Sequence, residues 1–164
     1  MLSTVKAVYP GSFDPLTLGH LDIIERTVKI FGGLTVLIAE SSQKKCLFTS
    51  EERKILIEKS TGHLENVMVD VASGLTVDYM KRSGARVIIR GLRAVSDFEY
   101  ELQMCLMNRK LNPEVETMII MSGEKYYYIA SNTVKEVAFH GGDISQLVPE
   151  PVVKAMKKKY HKEG

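Results

Sequence analysis

The chain has 164 residues, 45% hydrophobic and 26% charged, enough for one globular domain with a real core. Its net charge of +2 is too small to argue for a nucleic-acid or membrane partner. No apolar run approaches the ~20 residues of a membrane span, and the opening MLSTVKAVYP lacks the apolar stretch of a signal peptide.

Residues 5–9 read as a first strand, ended by Pro10-Gly11. Leu21, Ile24, Val28 and Phe31 then recur at helical spacing, with Thr17 as N-cap and Gly32-Gly33 as the stop. Residues 34–39 form a second strand, and Thr49-Ser50-Glu51-Glu52 has the form of a capping box opening a helix to about Lys59. A third strand covers residues 67–71, and a helix from about Leu75 stops at Gly84. Residues 86–90 are a fourth strand. Ser96-Asp97-Phe98-Glu99 is a second capping box, for a helix to about Lys110 that Asn112-Pro113 breaks. Residues 115–121 form a fifth strand, and Ser131 caps a helix to about His140, ended by Gly141-Gly142. Pro149 and Pro151 introduce a last short helix.

Strands this continuously apolar are covered on both faces, which predicts a mostly parallel sheet. Right-handed crossovers then give a doubly wound, Rossmann-like α/β fold with five strands, a single domain over residues 1–164. No linker, repeat or low-complexity stretch divides the chain, and a TIM barrel would need about 250 residues. Two cysteines, Cys46 and Cys105, suggest neither a disulfide framework nor a metal cluster and fit a reducing cytoplasm. Cys46 follows Lys44-Lys45, which favour a thiolate, but with no partner base nearby it reads as an ordinary loop cysteine.

In such sheets ligands bind at the carboxyl ends of the strands. The loops there carry Ser12, His20, Lys44, Lys45, Arg90 and Arg93, with few carboxylates, a set suited to a polyanion. In the first loop, YPGSFDPLTLGH, Gly11 permits a turn that brings backbone N–H groups close to a ligand. With Thr17 as cap, Gly19 and His20 fall in the first helical turn, where free N–H groups and the dipole favour an anion. The alternative is a glycine kept for packing and a histidine that merely caps. Arg90-Gly91-Leu92-Arg93 is either a phosphate or carboxylate clamp, or a pair of ion pairs to Asp97 and Glu101. Met104, Leu106, Met107 and Leu111 form a helical stripe belonging to the core or to a subunit interface. Tyr126-Tyr127-Tyr128 is either a strand end or the source of a ring against a purine. His63 and His140 read as surface or cap residues, His161 as part of the tail, and Lys157-Lys158-Lys159 as a solvated helix end.

The segment TLGH, Thr17 to His20, matches the T/H-x-G-H signature of the nucleotidyltransferase superfamily. The longer YPGSFDPLTLGH, with FTSEER from Phe48, IIRGLRAVSDFEYE from Ile88 and VKEVA from Val134, resembles the bacterial phosphopantetheine adenylyltransferase family over nearly the whole chain. The short signature is shared with nicotinate-mononucleotide adenylyltransferases and cytidylyltransferases, whereas RGLR with DFEYE is far more specific. A nucleotide-responsive module that keeps the fold without turnover is the rival of a different class.

The resemblance implies that ATP and 4′-phosphopantetheine give dephospho-coenzyme A and pyrophosphate, with Mg²⁺, in a cytoplasmic homohexamer that coenzyme A inhibits by feedback. By position it implies catalytic roles for Ser12, His20, Lys44 and Arg93. It implies nucleotide contacts from Ser12, Phe13, His20, Gly91, Leu92, Arg93, Glu101, Tyr126, Tyr127, Tyr128, Ile129, Ala130, Ser131 and Asn132. Ser12, Lys44, Thr76 and Arg90 match acceptor-binding positions, and no metal ligand is assigned. The chain departs from the family pattern at Ala130, where many relatives carry a hydroxyl, at Tyr126, where some carry tryptophan, and at Thr76, where some carry methionine or leucine. The implied reaction needs no general base, because a phosphomonoester with a second pKa near ~6 is already ionised at neutral pH.

Overall fold

Strands and helices alternate in the computed structural model, which describes residues 5–41 and 43–160. The first half comprises β1 (Ala7–Gly11), α1 (Leu18–Phe31), β2 (Leu34–Glu40), α2 (Ser50–Thr61), β3 (Val67–Ser73) and α3 (Thr76–Ser83). The second comprises β4 (Val87–Leu92), α4 (Val95–Leu111), β5 (Glu116–Met121), α5 (Ser131–Phe139) and α6 (Glu150–Tyr160). One sheet holds the strands in the order β3-β2-β1-β4-β5, with every neighbouring pair parallel. The chain lays β1 to β3 outward, returns to place β4 beside β1, and continues to β5. This is the doubly wound α/β domain, and its reversal leaves a crevice at the carboxyl ends of β1 and β4.

Successive strand residues serve opposite layers, as the period of two demands. Tyr9, Val36, Ile38 and Ile89 enter the larger core with residues of α1, α2, α5 and α6. Val8, Leu37 and Ile88 enter a smaller one that holds Met80 of α3, Ala85 and Val115. That second layer is thin, since the only residue α4 buries is Glu101. The Met104–Leu111 stripe is therefore not core: Met104, Leu106, Met107 and Leu111 all lie exposed.

Local chemistry sets most helix ends where the sequence places them. Thr17 caps α1, and Thr49 with Glu52 closes the capping box of α2. Gly32 and Gly84 terminate α1 and α3 at φ 74° and 68°, the left-handed region open to glycine. Lys159 pairs with Glu52 at 3.0 Å, so the basic run at the end of α6 is partly engaged. His63 meets Glu25 on the surface and His140 caps α5, while His161 lies outside the described residues. No described helix is long and apolar enough to cross a membrane.

Four expectations are corrected. β1 runs on through Pro10 and Gly11, because proline's fixed φ suits a strand and pairing with β2 continues to Gly11↔Ile38. Likewise β4 extends through Leu92, so Arg90, Gly91 and Leu92 belong to the strand and only Arg93 of RGLR follows it. Helix α4 is capped by Ala94, not Ser96: the Asp97 carboxylate accepts the Ala94 N–H at 3.4 Å, and Ser96 lies inside the first turn. Tyr126-Tyr127-Tyr128 is turn, since β5 stops at Met121.

Candidate active site

The crevice is opened by one residue. Pairing between β1 and β4 consists of Ala7↔Val87 and Val8↔Ile88, and Pro10 has no N–H to carry that ladder further. The strands part, and the Arg90 guanidinium fills the seam. Its Nη1 donates to the Pro10 carbonyl at 3.0 Å, and its Nε and Nη2 donate to the two Glu101 carboxylate oxygens at 2.7 and 2.8 Å. Burial works against the Arg90 charge, but the hydrogen bonds and negative charge of Glu101 more than offset it, so the Arg90 pKa is raised. On the other rim Arg93 pairs with Asp97 at 3.3 Å and donates to the Ile129 carbonyl at 3.2 Å. Both ion pairs foreseen from the sequence form, and both arginines still line the crevice.

His20 sits in the first turn of α1. Its Nδ1 accepts the Thr17 backbone N–H at 3.0 Å and lies 3.1 Å from the Thr17 hydroxyl, whose oxygen accepts the His20 N–H. The acceptor role of Nδ1 puts the neutral ring's proton on Nε2, leaving that nitrogen to donate to a ligand. Burial, then the charges of Arg93 and Arg90, push the imidazole pKa down to about 4, so His20 is a neutral donor at physiological pH. The Phe13 ring packs edge-on against it at 5.1 Å, and Tyr9 packs edge-on against Phe13 at 5.3 Å.

Two cavities meet here. One, about 340 Å³, is lined by Ser12, Phe13, Gly19, His20, Arg93 and the start of α5 from Ile129 to Asn132. The other, about 880 Å³, lies over the ends of β2 and β3 and is lined by Glu40, Gln43, Thr76 and Tyr100. Pro10, Gly11, Ser12, Lys44 and Arg90 line both. Ser12, matched to both substrates, and Lys44, matched to the acceptor and to catalysis, thus stand where the cavities join.

Gly91 lines the smaller cavity and Leu92 is buried. Glu101 also lines it, with both carboxylate oxygens held by Arg90. Of the stretch from Tyr126, only Ile129, Ala130, Ser131 and Asn132 reach it. Tyr126 packs on the core and Tyr127 and Tyr128 are exposed. Ser131 is not the cap of α5: Ala130 is, without a side-chain bond, and the Ser131 hydroxyl donates to the Pro15 carbonyl at 2.9 Å. Nor is Gly11 the turn residue. The positive φ falls on Phe13, at 48°, and Gly11 is needed because a Cβ there would come within 2.9 Å of the Phe13 ring.

Sequence reasoning missed Tyr9, Tyr100 and the supports beneath the first loop. Alternation along β1 could have marked Tyr9. The supports depend on contacts across more than thirty positions: Asp14 accepts the N–H groups of Leu47 and Phe48, each at 2.9 Å, and takes Lys135 of α5 at 3.2 Å. Among the described residues no cluster of three or more His, Cys, Asp or Glu side chains could hold a metal ion.

The chain matches the cytidylyltransferase-like family over residues 8–137. It is 57% identical to a phosphopantetheine adenylyltransferase of Bdellovibrio bacteriovorus, over 95% of this chain and 98% of that protein. Proteins of the same name from Finegoldia magna and Thermotoga neapolitana are 50% and 51% identical, over 98% and 96% of this chain and 99% and 98% of theirs. With its crevice, its T-x-G-H turn and near-full-length identity of this order, the chain belongs to the phosphopantetheine adenylyltransferases, a family of nucleotidyltransferase enzymes.

Proposed function

We propose that this enzyme transfers the adenylyl group of ATP to 4′-phosphopantetheine, releasing pyrophosphate and forming dephospho-coenzyme A. The observation that carries the reading is the pair of cavities joined at Ser12, Lys44 and Arg90. The smaller cavity suits the nucleotide, with His20, Arg93 and the N-terminus of α5 around its phosphates. The larger takes the acceptor, with Arg90 and Thr76 on its walls.

The acceptor phosphate is its own nucleophile. One of its oxygens attacks the α-phosphorus in line, a P–O bond forms, and the bond to the bridging oxygen of the leaving pyrophosphate breaks. No proton has to be removed, and His20, whose conjugate acid has a pKa of about 4, is too weak a base to take one. What the protein supplies is position and preorganised positive charge. The Ser12 hydroxyl orients the acceptor phosphate, Lys44 and Arg90 offset the repulsion between the two anions, and His20 Nε2 and Arg93 stabilise charge on the α-phosphate and pyrophosphate.

The cavity's own donors do not make a magnesium site. Glu101 of the smaller cavity is held by Arg90, the larger cavity offers Glu40 alone among the described residues, and Asp14, buried outside both, is taken by backbone N–H groups and Lys135. We assign Mg²⁺ to the substrate, arriving on the ATP phosphates with its waters, as is common in nucleotide sites. Coenzyme A carries both a pantetheine arm and an adenylate, so it fits the same two cavities as a feedback inhibitor. The exposed apolar residues of α4 suit subunit contacts in a homohexamer, and the two free cysteines suit the cytoplasm.

The test is pyrophosphate release from MgATP, with 4′-phosphopantetheine as acceptor and nicotinate mononucleotide as control. Release only with phosphopantetheine is expected. Release only with the control moves the substrate, and ATP binding with no release from either makes the chain a nucleotide-responsive module.

A further inference from the structure

Arg53 is the feature of this site that the reaction, as read above, leaves without a role. It lies on α2, is buried at 5% exposure, and has no carboxylate partner among the described residues. Its Nε donates to the Thr49 carbonyl at 3.3 Å and its Nη1 to the Ser12 carbonyl at 2.7 Å. A buried cation bound only to carbonyl oxygens is a poor device for stability, because neutral dipoles replace its lost hydration incompletely. Where it is directed gives the reason. The carbonyl it grips belongs to the residue at the junction of the two cavities, next to Phe13, whose φ of 48° only surrounding contacts can hold. Two residues on, Asp14 holds the N–H groups of Leu47 and Phe48, a few positions past Lys44. The Ser12–Asp14 segment is thus fixed at one end by the α2 guanidinium and at the other by the loop that carries Lys44.

We propose that Arg53 is a positioning residue for adenylyl transfer: by gripping the Ser12 carbonyl from beneath the loop it sets Ser12 at the junction of the two cavities. The proposal rests on the reading of Ser12 as the group that orients the acceptor phosphate. Its signature is that the effect of Arg53 runs through Ser12.

The experiment is a double-mutant cycle on kcat with Arg53→Met, Ser12→Ala and the double variant, each checked for folding by circular dichroism and thermal unfolding. Arg53→Met is expected to lower kcat roughly 10- to 100-fold, the range of a misplaced reacting group, with the MgATP KM changing less. In the Ser12→Ala background the same change is expected to cost less than about threefold, since no hydroxyl is left to place. Arg53→Lys, which keeps the charge and one donor, recovers part of the loss. If Arg53→Met does not fold, Arg53→Lys is carried through the same cycle. An equal loss in both backgrounds, or a wild-type kcat in the Arg53 variant while Ser12→Ala is impaired, overturns the proposal alone. A wild-type kcat in Ser12→Ala overturns the role of Ser12 and that of Arg53 with it.

Discussion

Arg90 and Glu101 form a two-pronged ion pair, at 2.7 and 2.8 Å, beside the gap that Arg90 spans to the Pro10 carbonyl, where β1 and β4 separate. It joins a strand to the helix that follows and turns the guanidinium toward the junction of the two cavities. Glu101→Gln keeps the shape but removes the charge that holds the fork. Since Arg90 is about a quarter exposed, the stability cost is expected near 2 kcal/mol, below that of breaking a fully buried pair. The activity loss should appear chiefly as a raised KM for the acceptor, of roughly tenfold. An effect confined to the ATP KM would assign Glu101 to the nucleotide instead.

In the proposed reaction His20 is the neutral donor on the nucleotide side. His20→Ala is expected to lower kcat by roughly 100- to 1,000-fold, as when one preorganised donor to a developing oxyanion is lost. The ATP KM should move far less, because the interaction strengthens in the transition state. Steady-state kinetics decides, and a near-normal kcat would remove the role.

The same imidazole makes the free protein sensitive to mild acid. Its folded pKa is about 4, against an ordinary value of 6.5, because of burial and the facing charges of Arg93 and Arg90. Between these values the unfolded chain binds a proton that the folded chain refuses. Stability is therefore complete above about pH 6.5 and falls as the pH drops toward 4, by on the order of 3 kcal/mol. His20→Gln should flatten that part of the stability–pH curve, measured by urea unfolding at intervals between pH 7 and 4.

Two glycines in the crevice are expected to respond oppositely to alanine. At Gly91 a Cβ would overlap Ile23 Cδ1 in the core and crowd the Tyr9 hydroxyl, so Gly91→Ala should destabilise by about 1–3 kcal/mol. At Gly19 the nearest atoms to a Cβ, of Thr17 and Tyr126, lie at 3.6 Å, ordinary contact. Gly19→Ala should leave thermal unfolding unchanged or slightly raised, while a methyl added to a residue that lines the smaller cavity, the proposed nucleotide site, is expected to raise the MgATP KM about tenfold, roughly 1.4 kcal/mol. Loss of stability in Gly19→Ala would return this glycine to a packing role.

Helix α5 begins on Ala130, whose backbone has N-cap geometry, φ −124° and ψ 142°, but no oxygen to offer. Ala130→Ser should supply the missing cap, adding about 1 kcal/mol and raising the unfolding midpoint by roughly 2–4 °C. Calorimetry of MgATP binding then separates two effects of the hydroxyl. Tighter binding means that it reaches phosphate, and unchanged binding means that it serves the helix alone.

What was legible along the chain followed local rules. Thr17, the Thr49–Glu52 box, Gly32 and Gly84 set helix ends within a turn of themselves, and apolar strands between amphipathic helices gave a parallel doubly wound sheet. Ser96 and Ser131 misled because each is a good cap by composition. The actual starts were fixed by Asp97 reaching back to Ala94 and by the Pro15 carbonyl, the latter more than a hundred positions from Ser131. Tyr126 to Tyr128 looked like a strand end by propensity, yet β5 stops at Met121, and propensity yields to such context.

The sequence by itself determined the order of elements, the loops at which an anion could be held, and, through T-x-G-H with RGLR and DFEYE, the family to which the chain proved to belong. Only the tertiary structure decided which of those groups meet. Pro10 opens the seam because β4, rather than another strand, lies beside β1 there. Arg90 fills it, Glu101 is held by Arg90, and Arg53 reaches Ser12 across 41 positions of chain. Such contacts have no periodicity or spacing to announce them. They arise when crossover connections bring distant loops to one edge of the sheet, where buried charges and carbonyls must find partners.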